Sequence, residues 1–280
     1  EISACLVGSE MCIRDRAKET QVPESAVLDQ MDQMAKAMED SITQYDPAAV
    51  TTGKMGGQNG ARLAKYNQKG DTLLGDYLSA VIAAAVQVAE SNACMKRIVA
   101  APTAGSCGVI PAVLITYQKQ QGLPRRELLR ALLVSAGIGS VIAENASISG
   151  AQGGCQAEIG SAAAMAAGGL VYLAGGDNDA IAQGAAMALK NMLGLVCDPV
   201  AGLVETPCIK RNAAGAANAV VAAQMALAGI QSVIPPDEII DAMYEIGCQL
   251  PACLRETSQA GLATTPTGQK IAEKLGQNQF

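Results

Sequence analysis

With 280 residues, a net charge of −6 and half of its side chains apolar, the chain can bury a real core and is too hydrophobic to stay disordered. The acidic balance leaves no basic footprint for nucleic acid, and one Phe, six Tyr and no Trp make no aromatic ribbon for single strands. The complete lack of histidine excludes a Ser-His-Asp or Cys-His nucleophile, and any His-ligated zinc or haem, within this chain.

Residues 1–16 (EISACLVGSEMCIRDR) match no pattern downstream and resemble a translated sequencing adapter, so Cys5 and Cys12 are set aside from the chemistry. From Ala17 to about Tyr45 the spacing of Val27, Leu28, Met31, Met34 and Met38 predicts a polar helix. Thr51 to Gly60 is rich in glycine and reads as a flexible loop, either a lid over substrate or a plain linker. A largely buried helix is predicted from Asp71 to Ser91, where Leu74, Leu78, Val81, Ile82 and Val86 share a wide face. The loop Ala101–Gly108 then feeds an apolar helix with Pro111 in its first turn.

Pro124 opens the next predicted helix, which runs toward Ile142 and is followed by the glycine-rich loop 147–154. Gln156 to about Leu173 is again helical in pattern. Its apolar stretch, Ser161 to Gly176, falls short of the roughly 20 strongly apolar residues of a membrane span. Asp177 offers an N-cap to a helix closed by Gly194, and Asn212 offers one to a helix that stops at Gly229. Pro235 and Pro236 start a further helix ending near Gly247. No sustained period of two appears, so the expected fold is all-α: a short N-terminal part, 17–60, a helical domain, 61–270, and a tail, 271–280.

Nine cysteines, an odd number, and no recognisable secretory signal predict free or metal-bound thiols in a reducing, cytoplasmic compartment. Three of them sit beside turns rather than in apolar stripes: Cys155, Cys197 and Cys208, spaced C-x41-C-x10-C. Cys155 ends the run Gly153-Gly154-Cys155, Cys197 precedes Asp198-Pro199, and Cys208 follows Thr206-Pro207. Backbone N–H groups converging at helix starts and glycine turns stabilise thiolates, and soft thiolates suit iron-sulfur clusters. Three ligands on a four-iron cubane leave one iron open, which can act as a Lewis acid on a hydroxyl leaving group. The bland alternative is three buried thiols with no metal. Cys94, Cys248 and Cys253 read as core or helix-end cysteines, and Cys107 as a loop thiol. Thr103, Ala104, Gly105 and Ser106 form a second candidate site, a helix start whose amides and hydroxyls suit a carboxylate, against the alternative of a tight interhelical turn.

Four stretches then read together: APTAGSCGVIPAVL at 101–114, ENASISGAQGGCQAEIGSAAAMAA at 144–167, CDPVAGLVETPCIKRNAAGAANA at 197–219 and LRETSQAGLATTPTG at 254–268. They resemble the α subunit of the iron-sulfur-dependent L-serine dehydratases, and the resemblance covers residues 20–270. It implies an all-helical α domain and a [4Fe-4S] cluster on Cys155, Cys197 and Cys208. It also implies a substrate-contacting loop at Thr103–Ser106 and a dehydration of L-serine to pyruvate and ammonia. Asn145, Ser147, Arg211 and Asn212 join the candidate substrate residues by proximity to the ligands. Single-chain relatives of this kind carry a β domain that supplies histidines and a C-terminal cysteine. This sequence shows neither, so a separate β subunit bearing the base, and an oligomeric complex, are expected. Two other readings stand beside this one. A pyridoxal-phosphate dehydratase would need a Schiff-base lysine, for which Lys54 and Lys210 are the nearest to hand. A non-catalytic cluster-binding or assembly subunit would need only the cysteines.

Overall fold

The computed structural model describes residues 17, 18 and 21–276. The 1–16 segment, with Cys5 and Cys12, lies outside them. All regular structure among the described residues is helical, as the pattern predicts. In chain order the helices are α1 (Glu24–Thr43), α2 (Asn59–Asn67), α3 (Gly75–Ala93), α4 (Val109–Gln121) and α5 (Arg125–Asn145). The single turn α6 (Gly150–Gly153) follows, then α7 (Ser161–Leu173), α8 (Asn178–Lys190), α9 (Cys208–Leu227), α10 (Pro236–Gln249) and α11 (Pro266–Lys274). The β-type pairing described is two isolated bridges, Val50 with Gly57 and Cys197 with Arg255.

The core is built on α7, which packs against α4, α5, α8 and α9. Every residue of α7 except Tyr172 is buried. Its Ala and Gly side chains let the neighbouring backbones come close. A Cβ on Gly169 would lie 2.6 Å from Ser135 Oγ of α5 and 3.0 Å from Leu114 Cδ1 of α4, so only glycine fits there. The Ser135 hydroxyl, buried in this seam, donates to the Met165 carbonyl at 2.8 Å. A helix apolar all round is a buried core helix, and α7 is one. No helix among the described residues is long and apolar enough to cross a membrane.

Local signals place most boundaries. Asp177 caps α8 by accepting from the Ala180 amide at 2.8 Å. Pro236 opens α10, and Gly122 ends α4 with a left-handed φ of 62°. Asn212 does not cap α9. That helix begins at Cys208, directly after Pro207, so Asn212 lies one turn inside it and is buried. The expected helix from Gln156 opens with a π-helical turn, Gln156–Gly160, before the α-geometry of α7. α2 and α11 are additional to the predicted elements. α2 crosses the 60/61 boundary expected from the sequence and α11 crosses the 270/271 one.

The 51–60 segment is pinned from two sides rather than free. Glu90, buried on α3, accepts from the amides of Gly57 (2.8 Å), Asn59 (3.1 Å) and Gly60 (3.1 Å), from the Asn59 side chain (2.7 Å) and from the Tyr45 hydroxyl (2.7 Å). Glu205, buried between the second and third turn cysteines, accepts from the amides of Gly53 (2.7 Å) and Met55 (3.1 Å) and from the Thr51 hydroxyl. A carboxylate removed from water needs several strong donors, and peptide amides supply them here in place of a cation. Burial, followed by the bond to Glu90, pushes the Tyr45 hydroxyl well above the usual phenol range. Substituting Glu205→Gln puts an NH2 group among donors. It is expected to cost about 1.5–3 kcal/mol in denaturant unfolding and to speed amide exchange at Gly53 and Met55. Unchanged exchange at those amides would contradict the anchor.

Candidate functional site

Three chain segments carry the turn cysteines to one place. Cys155 stands where α6 gives way to the π-turn, after Gly154, whose φ of 76° permits the sharp reversal. Gln156 fixes that reversal. It is fully buried, its side chain accepts from the Gly194 amide (2.9 Å) and donates to the Met243 carbonyl (3.0 Å), and its amide donates to Leu195 O (2.9 Å). Cys197 is held in extended conformation alongside the 254–256 stretch, donating to Leu254 O at 2.9 Å and accepting from the Glu256 amide at 2.8 Å. Cys208 is the first residue of α9.

All three thiols are buried and none forms a disulfide. The Cys197 thiol donates to Cys155, which chiefly accounts for holding Cys155 below the ordinary thiol range. The Arg211 guanidinium adds to this and burial opposes it. The same bond and burial push Cys197 upward. Burial and then the charge of Cys155 push Cys208 up to about 12. Cys155 is thus the one of the three thiols held low, by its neighbour thiol and a guanidinium. Arg211 also donates to Val196 O (2.8 Å) and to Asp198 Oδ1 (2.9 Å), so it braces the residues on either side of Cys197. Asp198 in turn accepts from the Leu262 amide at 2.9 Å.

The Thr103–Ser106 loop lies against this group. Asn212 makes the connection, donating to Gly105 O (2.8 Å) and Cys208 O (3.0 Å) and accepting from the Gly108 amide (2.7 Å). The loop hydroxyls are engaged within the protein. Ser106 is buried with its Oγ 3.1 Å from Thr103 Oγ1, and Thr103 donates to Glu158 Oε1 at 2.7 Å. Among the described residues no hydrogen bond takes up the amides of Ala104 and Gly105. The loop therefore offers a ligand its backbone N–H groups, not its hydroxyls. Cys107 is fully buried and its thiol is raised by burial, as a structural thiol should be.

Glu158 is the residue the sequence reading did not single out. It sits on the π-turn, one turn after Cys155. A Cβ on Gly105 would lie 2.9 Å from its Oε1, and one on Gly150 would lie 2.8 Å from its Oε2 and 3.2 Å from Cys197 Sγ. Burial raises its carboxyl above the usual range, against the pull of the Thr103 hydrogen bond. The C-x-x-E spacing was its available signal, because residues three apart on a helical turn share a face.

Asn145 and Ser147 are placed differently. Asn145 ends α5, exposed, and donates to Val141 O at 2.8 Å. Ser147 donates to Gln152 Oε1 at 2.7 Å. Ser147 lines a cavity of about 340 Å³ with Gln152, Gly153, Tyr244 and Arg255 between α6 and α10. None of the three turn cysteines lines it. Lys54 is exposed at a left-handed φ of 54°, and no phosphate-cradling loop accompanies it.

Three buried thiols without a disulfide are soft donors of the kind iron-sulfur clusters use. Among the described residues no three His, Cys, Asp or Glu side chains close into a single-ion cage. A cubane is a larger body whose thiolates attach to separate irons, and three buried, unpaired thiols from separate turns are the donor set it takes.

The sequence profile described as serine dehydratase alpha chain matches residues 5–263. The chain belongs to that family. It is 47% identical over 275 residues to the probable L-serine dehydratase, alpha chain, of Bacillus subtilis, covering 98% of this chain and 89% of that one. It is 41% identical over 263 residues to the L-serine dehydratase, alpha chain, of Peptoniphilus asaccharolyticus, covering 94% and 90%. Identity to L-serine dehydratase TdcG of Escherichia coli is 47% over 181 residues, 64% of this chain and 40% of that one.

Removing the Asn212 amide separates the substrate-loop candidate from the third cysteine. Asn212→Ala leaves the Gly105 carbonyl and the Gly108 amide short of partners and is expected to cost about 2–4 kcal/mol in denaturant unfolding. A loss below about 0.5 kcal/mol, the range of an indifferent surface change, would contradict this role.

Proposed function

We propose that the chain is the α subunit of an L-serine dehydratase, forming pyruvate and ammonia with a [4Fe-4S] cluster on Cys155, Cys197 and Cys208 and acting with a β subunit. The observation that carries the reading is the convergence of three buried thiols on the Thr103–Ser106 loop and Glu158. When bound, such a cluster supplies an iron without a cysteine ligand, a Lewis acid for the β-hydroxyl leaving group.

The residues of this chain have separable tasks in that reaction. Cys155, Cys197 and Cys208 hold the cluster through their sulfurs. Arg211 offsets the negative charge they accumulate. The amides of Ala104 and Gly105, in the turn that precedes α4 (Val109–Gln121) rather than at the helix start expected from the sequence, receive the substrate carboxylate through N–H groups left without a partner in the protein. Asn212 keeps those amides in register with Cys208. Burial of the thiols keeps water from the reacting hydroxyl and strengthens each charge interaction. The base that takes the Cα proton is assigned to the β subunit, because this chain contains no histidine. The family membership and the α-chain names of the Bacillus and Peptoniphilus relatives support the two-subunit reading.

The test is anaerobic reconstitution with iron and sulfide, with and without the β subunit, assayed for pyruvate from L-serine. Turnover is expected only with cluster and partner together, and is expected to vanish in Cys155→Ala, Cys197→Ala and Cys208→Ala. Pyruvate formed by metal-free protein, or a borohydride-trapped lysine adduct, would overturn the reading.

A further inference from the structure

Glu158 is a carboxylate that the ligand set does not require. Its Oε1 accepts from Thr103, and among the described residues no side chain or amide hydrogen-bonds to its Oε2. No lysine or arginine among the described residues forms a salt bridge with it. Arg211, the cation closest in role, is turned to Asp198, Val196 and Cys155. The backbone is cleared for Glu158 on both sides, because Gly105 and Gly150 each have no room for a Cβ beside its oxygens. The carboxylate is half-buried.

The neighbouring polarity gives this carboxylate a meaning. Gly105 contributes a free amide and also stands directly against Glu158 Oε1. The site therefore places anion-binding N–H groups next to a carboxylate with spare acceptor capacity. The charged groups of an α-amino acid are separated by one carbon, so their receptors must be adjacent and opposite in sign. A hydroxy acid of the same length uses the same N–H groups, and its hydroxyl can donate one neutral hydrogen bond to the carboxylate, or equally to an amide oxygen in its place, but brings no opposite charge.

We infer that Glu158 is the receptor for the α-ammonium group of the substrate, and that it makes the site select an amino acid over the corresponding hydroxy acid. This rests on the L-serine dehydratase reading and adds a specificity-determining contact to it. Thr103, by donating to Oε1, is a positioning residue that aims Oε2 at the ligand.

The experiment uses the reconstituted α–β complex with Glu158→Gln and Glu158→Asp. It measures KM and kcat for L-serine, the inhibition constant of glycerate, which carries hydroxyl in place of ammonium, and the visible absorption of the cluster. Glu158→Gln is expected to raise KM for L-serine by on the order of 10- to 100-fold, the size of a lost charge-assisted hydrogen bond. Glycerate inhibition and the cluster spectrum are expected to stay near wild type, and Glu158→Asp to recover part of the L-serine affinity. Equal loss of affinity for L-serine and glycerate would overturn the inference, since it shows a damaged pocket rather than a lost ammonium contact. A fall in kcat at unchanged KM, or a lost cluster spectrum, would also overturn it by assigning Glu158 to proton transfer or to the cluster. If the wild-type complex itself gives no turnover of L-serine, the underlying reading fails instead, and the inference with it.

Discussion

The Asn212 side chain bonds the Gly105 carbonyl, the Gly108 amide and the Cys208 carbonyl, joining the Thr103–Ser106 loop to the start of α9. The two segments are about a hundred residues apart in sequence, and each carries half of the proposed site: free amides on one side, a thiol on the other. An amide that uses both its donors and its acceptor is difficult to replace, because any other side chain leaves buried peptide groups short of partners. The site's dimensions depend on this bond, and the neighbouring residues follow the same plan. Arg211 ties the backbone around Cys197, and Gln156 ties the turn behind Cys155.

Behind these ties stands the packing of α7. Ala and Gly along its whole length let α4, α5, α8 and α9 crowd one helix. The loops that leave those helices are then drawn together at one end. Cys155 leads into α7 through the π-turn, and Cys208 begins α9, so helix packing sets the separation of two of the three thiols. The second buried carboxylate, Glu205, adds the 51–60 segment to this framework from the stretch between Cys197 and Cys208.

What was legible in the sequence was local. Apolar stripes located α3, α4, α5 and α8, Asp177 and Pro236 marked helix starts, and cysteines beside glycine and proline turns stood out from those in stripes. What was not legible depends on distant partners. The 51–60 segment looks like a flexible loop by composition, yet it is pinned by Glu90 and Glu205, about 30 and 150 residues away. Asn212 has the chemistry of a cap and sits inside a helix, because Pro207 starts α9 earlier. α2 is short, with few buried side chains to give it a period. α11 did have a sign, Thr265 before Pro266, and Thr265 does cap it by accepting from the Gly268 amide at 3.1 Å. Glu158 was hidden for a different reason: its importance lies in its neighbours Thr103 and Gly105, about fifty residues away in sequence.

The central claim is that Cys155, Cys197 and Cys208 together hold a cluster with one iron left for substrate. Its most direct test is Mössbauer spectroscopy of the α–β complex reconstituted with isotopically enriched iron, recorded with and without L-serine. The account predicts one iron subsite distinct from the others that shifts when L-serine is added. Iron subsites that are all alike and indifferent to L-serine, or a spectrum unchanged when the three cysteines are replaced, would contradict it.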